Sequence, residues 1–314
     1  MKLSILVTGC GGDIGQSIGK ILIESDFVNY LVGCDISEKN AGKFIFKDFI
    51  IGLACTDTNY LKSLEDIIFD KEIDIIIPIA EPELRFLYQE SVLDKIANAK
   101  IICANKKALK IGFDKLETAL FLKENKLPFP ETKLLSDVNT SIDYPVIMKS
   151  RYGSGSSSVY IVKDQIDFDY LKCKHPDYIV QEYLTSKEGE YTCGVFRSKA
   201  GMIRSIILKR ELTGGYSGYG EVVHNDEITN VLNQIATKLN LTGSINIQLR
   251  ITSKGPVVFE INPRFSSTVL FRHKFGFKDL IWSIQDQLNQ DISSYNEINV
   301  GKRFYKGFSE FIDV

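Results

Sequence analysis

The sequence predicts a mixed α/β and α+β chain: a Rossmann-like parallel sheet first, then a unit built on antiparallel strands. Three observations carry this. Short apolar runs alternate with helical segments over the first hundred residues, the rhythm of a parallel sheet wrapped by helices. A glycine-rich turn follows the first run. From Phe113 onward the pattern changes to strand-like segments punctuated by proline, glycine and serine, which mark turns between strands. A length of 314 residues agrees with about two domains at roughly 150 residues each.

Leu3 to Thr8 reads as a buried strand, Ile14 to Ser25 as a helix, Leu31 to Asp35 as the second strand. A helix near Tyr60 to Lys71 and strands at Ile73 to Pro78 and Ile101 to Ala104 continue the alternation. The first turn, Gly9-Cys10-Gly11-Gly12-Asp13-Ile14-Gly15, has Asp35 20 residues after its last glycine. That spacing is similar to a dinucleotide fingerprint, in which backbone amides meet a pyrophosphate and the acid holds a ribose; a tight strand-to-helix turn needs glycine whatever it binds. At the end of the third strand, Glu81 and Glu83 are expected at the crevice where open α/β sheets take ligands, with Glu83 as the candidate amine contact. Acids at the start of a helix are the plainer explanation.

Composition narrows the partners. The 38 Lys and Arg against 40 Asp and Glu leave a net charge of −2, so no bulk field draws the chain to nucleic acid. No apolar stretch reaches the roughly 20 residues of a membrane span, and the start reads as a strand rather than a signal peptide; the expectation is a cytoplasmic protein. The six cysteines, with no CxxC pair, indicate neither a zinc knuckle nor a disulfide framework and are expected as reduced, mostly buried thiols.

Asp114-Lys115 opens a helix to about Lys126, and Pro128 and Pro130 end it at the expected domain junction. Tyr144 to Lys149 is a strand that ends in a lysine and runs into Ser150-Arg151-Tyr152-Gly153-Ser154-Gly155-Ser156-Ser157-Ser158. No Gly-Lys-Ser/Thr closes this loop, so it is not a Walker A loop. Its amides can still wrap phosphate oxygens, and a lysine on an apolar strand needs an anionic partner; a plain hairpin turn is the alternative. Strands follow at Tyr178 to Leu184, Gly189 to Val195, Ser244 to Leu249 and Val257 to Asn262. Period two puts Glu260 and Asn262 on one strand face.

Lys115, Lys149, the glycine/serine loop, Gln181-Glu182-Tyr183-Leu184, Glu190 and Glu260-Ile261-Asn262-Pro263-Arg264 stand in the order seen in ATP-grasp ligases. The chain resembles the carbamoyl phosphate synthetase-like branch of that superfamily over about residues 1 to 285. The resemblance implies a pre-ATP-grasp domain at 1–113 and an ATP-grasp domain at 114–290. Its small lobe would span about 114–180 and its large lobe about 181–290, with a tail at 291–314 packed on the large lobe. It implies ATP with magnesium (manganese as an alternative), two ions, held by Gln248, Glu260 and Asn262. Lys115, Lys149, Gly153, Ser154, Gly155, Ser156 and Ser157 would hold phosphates. Gln181, Glu182, Tyr183 and Leu184 would hold adenine, with the adenine-reading choice between Gln181 and Glu182 open, and Glu190 the ribose. Arg264, Lys149 and Arg210 are the implied catalytic residues. A second glycine-rich loop at Leu208 to Gly220 is expected to border the acceptor, which Glu83, Gly11 and Gly12 would also touch.

The chain holds one synthetase module where a carbamoyl phosphate synthetase large subunit has two, and Tyr216 stands where bicarbonate-phosphorylating relatives have histidine. The expected function is therefore ATP-dependent joining of a small-molecule carboxylate to an amine through an acyl phosphate, by a protein that is a possible homodimer. The alternatives are an NAD(P)-dependent oxidoreductase using the first glycine turn and a non-catalytic ATP-binding regulator.

Overall fold

A computed structural model describes residues 2–138, 142–153, 159–185, 189–296, 298–307 and 309–312. Strands β1 (Leu3–Thr8), β2 (Val28–Asp35), β3 (Asp48–Ile51), β4 (Ile75–Pro78), β5 (Lys95–Ile96) and β6 (Ala99–Ile101) form the first sheet, in the order β3-β2-β1-β4-β6-β5. Its pairings are parallel apart from the β5–β6 edge. Helices α1 (Asp13–Ile23), α2 (Tyr60–Asp70) and α3 (Glu81–Gln89) cover it. Alternation along β1 sends Ile5 and Val7 into one core with Ile18 and Leu22 of α1, and Leu6 into another with Leu64 and Ile68 of α2, as expected of a strand buried on both faces.

After α4 (Lys106–Gly112) and α5 (Lys115–Glu124), a four-stranded sheet forms from β7 (Thr132–Leu134), β8 (Val146–Ser150), β9 (Val159–Val162) and β10 (Tyr178–Glu182), in the order β7-β10-β8-β9, with α6 (Gln165–Lys174) between β9 and β10. Asp114 caps α5 by accepting from the Leu116 and Glu117 amides. The third sheet is antiparallel and collects β11 (Glu190–Arg197), β12 (Ile203–Thr213), β13 (Tyr216–Val222), β14 (Gly243–Thr252), β15 (Gly255–Asn262) and β16 (Arg303–Tyr305) in the order β15-β14-β11-β12-β13-β16.

One face of the third sheet buries Cys193, Val195 and Ile247 against Ile228 and Ile235 of α7 (Asp226–Lys238) and against α4 and α5. The other face is apolar at one end, where Phe196, Leu208 and Trp282 pack with Phe304 of β16. Helices α8 (Val269–Phe275) and α9 (Asp279–Gln287) fold back so that Val269, Leu280 and Ile284 join the α1 side of the first sheet's core.

One expectation changes here. The supposed loop at Leu208 to Gly220 is the β12–β13 hairpin: Gly214 and Gly215 both take positive φ (58° and 88°) and form the two-residue turn that such a pair favours. The tail supplies β16, paired antiparallel to β13. Beyond it, Phe311 stacks on Phe44 with ring centroids 5.1 Å apart. The described cysteines are free thiols, with Cys10, Cys34 and Cys193 buried and Cys173 exposed. Among the described residues no helix is long and apolar enough to cross a membrane.

Candidate active site

The three sheets meet around a cleft of about 700 Å³. Its most constrained group is Lys149 on β8, buried to 5 % exposure within an otherwise apolar strand. Its Nζ reaches the Phe259 carbonyl at a long 3.4 Å and lies 5.7 Å from the Phe259 ring centre. Burial pushes the ammonium down to about 8, against the pull of the Glu260 and Glu190 carboxylates. A desolvated cation so thinly served suits a polyanion.

Opposite stand the residues of β14 and β15. Gln248 is in register with Glu260, and Asn246 with Asn262. The ladder slips at this point, pairing Leu249 with Val258 and Gln248 with Glu260, so Phe259 is an extra residue. Such a bulge re-aims side chains: Phe259 and Glu260, although adjacent, both line the cleft. Asn262 Nδ2 donates to Glu260 Oε1 at 3.0 Å. Among the described residues no three His, Cys, Asp or Glu side chains cluster as a metal site. The available donors are one carboxylate and two amides, a set that fits a hard divalent ion when phosphate oxygens complete its shell.

Glu190 on β11 lies between Arg210 and Arg250, its register partners on both flanking strands. Arg210 reaches Glu190 Oε1 at 2.5 and 3.0 Å, and Arg250 reaches Oε2 at 3.0 and 3.3 Å. Four donors occupy the lone pairs of that carboxylate. Arg210 also donates to Gln248 Oε1 at 2.9 Å, joining the arginine row to the β14–β15 group. Arg250 donates to the Leu184 carbonyl at 3.0 Å, which engages part of the predicted adenine-reading backbone. The Leu184 side chain lines the cleft, whereas Tyr183 does not.

Gln181 and Glu182 both line the cleft. Gln181 Nε2 donates to Thr132 Oγ1 at 3.0 Å, while Glu182 pairs with Lys254 at 2.7 Å and accepts from the Glu131 amide at 3.2 Å. Lys115 lines the cleft and donates to the Gly153 carbonyl at 2.6 Å. Gly153 is outside the lining. Ser154, Gly155, Ser156 and Ser157 lie outside the described residues.

Arg264 also lines the cleft. Burial disfavours its charge and the Glu81 and Glu260 carboxylates support it; Nη1 donates to the Phe265 carbonyl at 3.0 Å. Glu81 opens α3, lines the cleft and accepts from Arg85 at 2.7 Å. Glu83 corrects the prediction. It is 6 % exposed, away from the cleft, and accepts from Thr8 at 2.7 Å and from the Tyr60 hydroxyl. Two residues apart on a helix are on opposed faces, so Glu81 and Glu83 cannot share the crevice.

Gly9, Gly12 and Asp13 of the first turn line the cleft, but Gly11 does not. The Gly11 amide instead donates to Asp35 Oδ2 at 2.8 Å, and the Ser37 amide donates to Oδ1 at 3.2 Å. Asp35 therefore braces the turn, and the acid expected of a dinucleotide fingerprint is already engaged. Lys306 of the tail pairs with Asp13 and lies 4.9 Å from the ring centre of Tyr216, another lining residue. Sequence reading also missed Ile147, Val159 and Leu212, which add apolar side chains to the cleft lining. Arg250 was available to it, two positions beyond Gln248 on the same strand face.

Residues 113–268 match the family model of the ATP-grasp domain. That span is an ATP-grasp domain. Solved structures agree at the level of fold. An N5-carboxyaminoimidazole synthetase from Staphylococcus aureus, complexed with ADP, is 19 % identical with a TM-score of 0.76, the match covering 96 % of this chain and 82 % of that one. A biotin carboxylase from Campylobacter jejuni, in complex with β,γ-ATP, is 14 % identical with a TM-score of 0.73, covering 96 % and 74 %. An L-amino acid ligase from Bacillus licheniformis is 15 % identical with a TM-score of 0.69, covering 91 % and 75 %. In this ATP-grasp chain, the matched span holds Lys115, Lys149, the arginine-clasped Glu190, the Gln248–Glu260–Asn262 group and Arg264.

Proposed function

We propose that this ATP-grasp enzyme joins a small-molecule carboxylate to an amine, forming an amide or peptide bond with release of ADP and phosphate. The observation that carries the reading is a buried ammonium, Lys149, facing a carboxylate-and-amide group on paired strands, with Arg264 and Glu81 lining the same cleft. Lys115 and Lys149 suit the phosphates, and Ile147, Val159 and Leu212 suit adenine. Gln248, Glu260 and Asn262 would hold magnesium, which when bound neutralises phosphate charge and orients oxygens.

An oxygen of the substrate carboxylate attacks the γ-phosphorus of ATP as its bond to the β-phosphate bridging oxygen breaks, giving ADP and an acyl phosphate. The amine nitrogen then attacks the acyl carbon; the bond to the phosphate oxygen breaks, inorganic phosphate leaves and the amine proton passes to solvent. Arg264 offers fixed positive charge where oxygens gain negative charge, and Glu81 offers a carboxylate that can accept a hydrogen bond from the neutral amine and orient it. Catalysis is then chiefly positioning and charge compensation.

The test is a screen of carboxylate and amine pairs followed by phosphate release. ADP and phosphate that appear only with both partners present support the ligase; AMP and pyrophosphate refute it. Tight ATP binding with no turnover under any pair would make the protein a regulator. Glu260→Ala is expected to abolish turnover in a folded protein, with circular dichroism as the control.

A further inference from the structure

The cleft-bearing face of the third sheet is polar at Glu190, Gln248 and Arg250 and apolar at Phe196, Trp282 and Phe304. At the changeover lies Arg272 of α8, with 0 % exposure. Its Nη2 donates to Asp279 Oδ2 at 2.9 Å, and Ser244 Oγ donates to the same oxygen at 2.6 Å. Its Nη1 donates to Asn246 Oδ1 at 3.2 Å, and Thr192 Oγ1 donates to that oxygen at 3.1 Å. The sequence makes room for the guanidinium with Gly194, the register partner of Asn246, where a Cβ would fall 2.7 Å from Nη1.

A buried ion pair is weak evidence for stability, since apolar replacement of both partners is often neutral or stabilising. What this pair does locally is fix an amide. Asn246 is 1 % exposed yet lines the cleft. Two donors converge on its oxygen, so the carbonyl end is turned to Thr192 and Arg272 and the NH2 end is left for the cleft.

We propose that Arg272 and Asp279 are positioning residues that lock Asn246 as a hydrogen-bond donor to an anionic oxygen of the transferring phosphoryl group. This deepens the ligase reading, resting on it for the identity of that oxygen. In Asn246→Asp the buried oxygen and both its donors persist, and only the group facing the cleft changes, from a donor to an anionic acceptor.

The test compares binding of Mg–ADP and of Mg–AMP-PNP by calorimetry, with thermal melting as the control for folding. For Asn246→Asp the expected result is an ADP affinity within about threefold of wild type and a loss of at least tenfold for AMP-PNP. The double variant Arg272→Met/Asp279→Leu removes both charges together; it should melt no lower than wild type and weaken AMP-PNP selectively. Arg272→Lys, which keeps one cationic donor, should restore part of the loss. Equal effects on both nucleotides, or no effect of Asn246→Asp on either, would overturn the inference. These readouts need no acceptor, so a wild type that forms no amide product would refute the ligase while leaving the ADP against AMP-PNP difference to judge Asn246.

Discussion

Burial holds the Lys149 ammonium down at about 8, and two consequences follow at the scale of one residue. In the unfolded chain a lysine titrates near 10.4, so between about pH 8 and 10.4 the unfolded state binds more protons and the stability of the nucleotide-free protein should rise with pH. A bound polyphosphate reverses the balance by favouring the charged form. Nucleotide binding near pH 8 should therefore take up a proton, measurable by calorimetry in buffers of different ionisation enthalpy. Lys149→Arg should abolish the uptake. The adjacent acids separate just as clearly. Glu83→Ala should cost about 1–3 kcal/mol in urea unfolding, because Thr8 and Tyr60 lose a buried partner. Glu81→Gln should leave stability nearly unchanged and raise KM for the amine. Lys149, Glu260 and Asn262 were legible in the sequence because a charged residue on an apolar strand and a period of two are local signals. The role of Asp35 stays open in the sequence because its spacing fits a ribose contact, whereas its actual donors, the amides of Gly11 and Ser37, come from how two loops meet.

At the scale of elements, the short parallel strands of the first sheet could be read from continuous apolar runs, and the β14–β15 pair from alternation. The hairpin at Ile203–Thr213 and Tyr216–Val222 could not be told from a loop, because several glycines in one stretch do not say which pair makes the tight turn. The extra residue at Phe259 was equally hidden, because a bulge is defined by the partner strand. Strand β16 illustrates the same limit: three residues carry little pattern, yet Phe304 is buried and stacks on Phe271 at 4.2 Å. Phe304→Ala should therefore cost about 3–5 kcal/mol, seen as a lower denaturant midpoint with little change in slope. A result below 1 kcal/mol would mean that the tail is peripheral to the large sheet.

For the whole molecule, the sequence suggested separate units along the chain, and the structure has later segments returning to earlier ones. Helices α8 and α9 complete the core of the first sheet, while α4 and α5 complete that of the third. Such long-range packing leaves no local mark. Nucleotide that binds between the sheets should stabilise the fold by mass action, about 2.7 kcal/mol at a hundred times its Kd. Mg–ATP is thus expected to raise the melting temperature, and NADH to leave it unchanged; a shift with NADH alone would move the nucleotide to the first glycine turn.

The cleft wall runs from Gly9 to Ser267 in sequence, so its residues come together only after most of the chain has been threaded into place. Nucleotide is then a latecomer to folding, with nothing to grip in a half-assembled chain. Its stabilisation should appear almost wholly as slower unfolding, with the refolding rate unaltered. In a cell, such a protein would gain persistence from its substrate rather than speed of maturation.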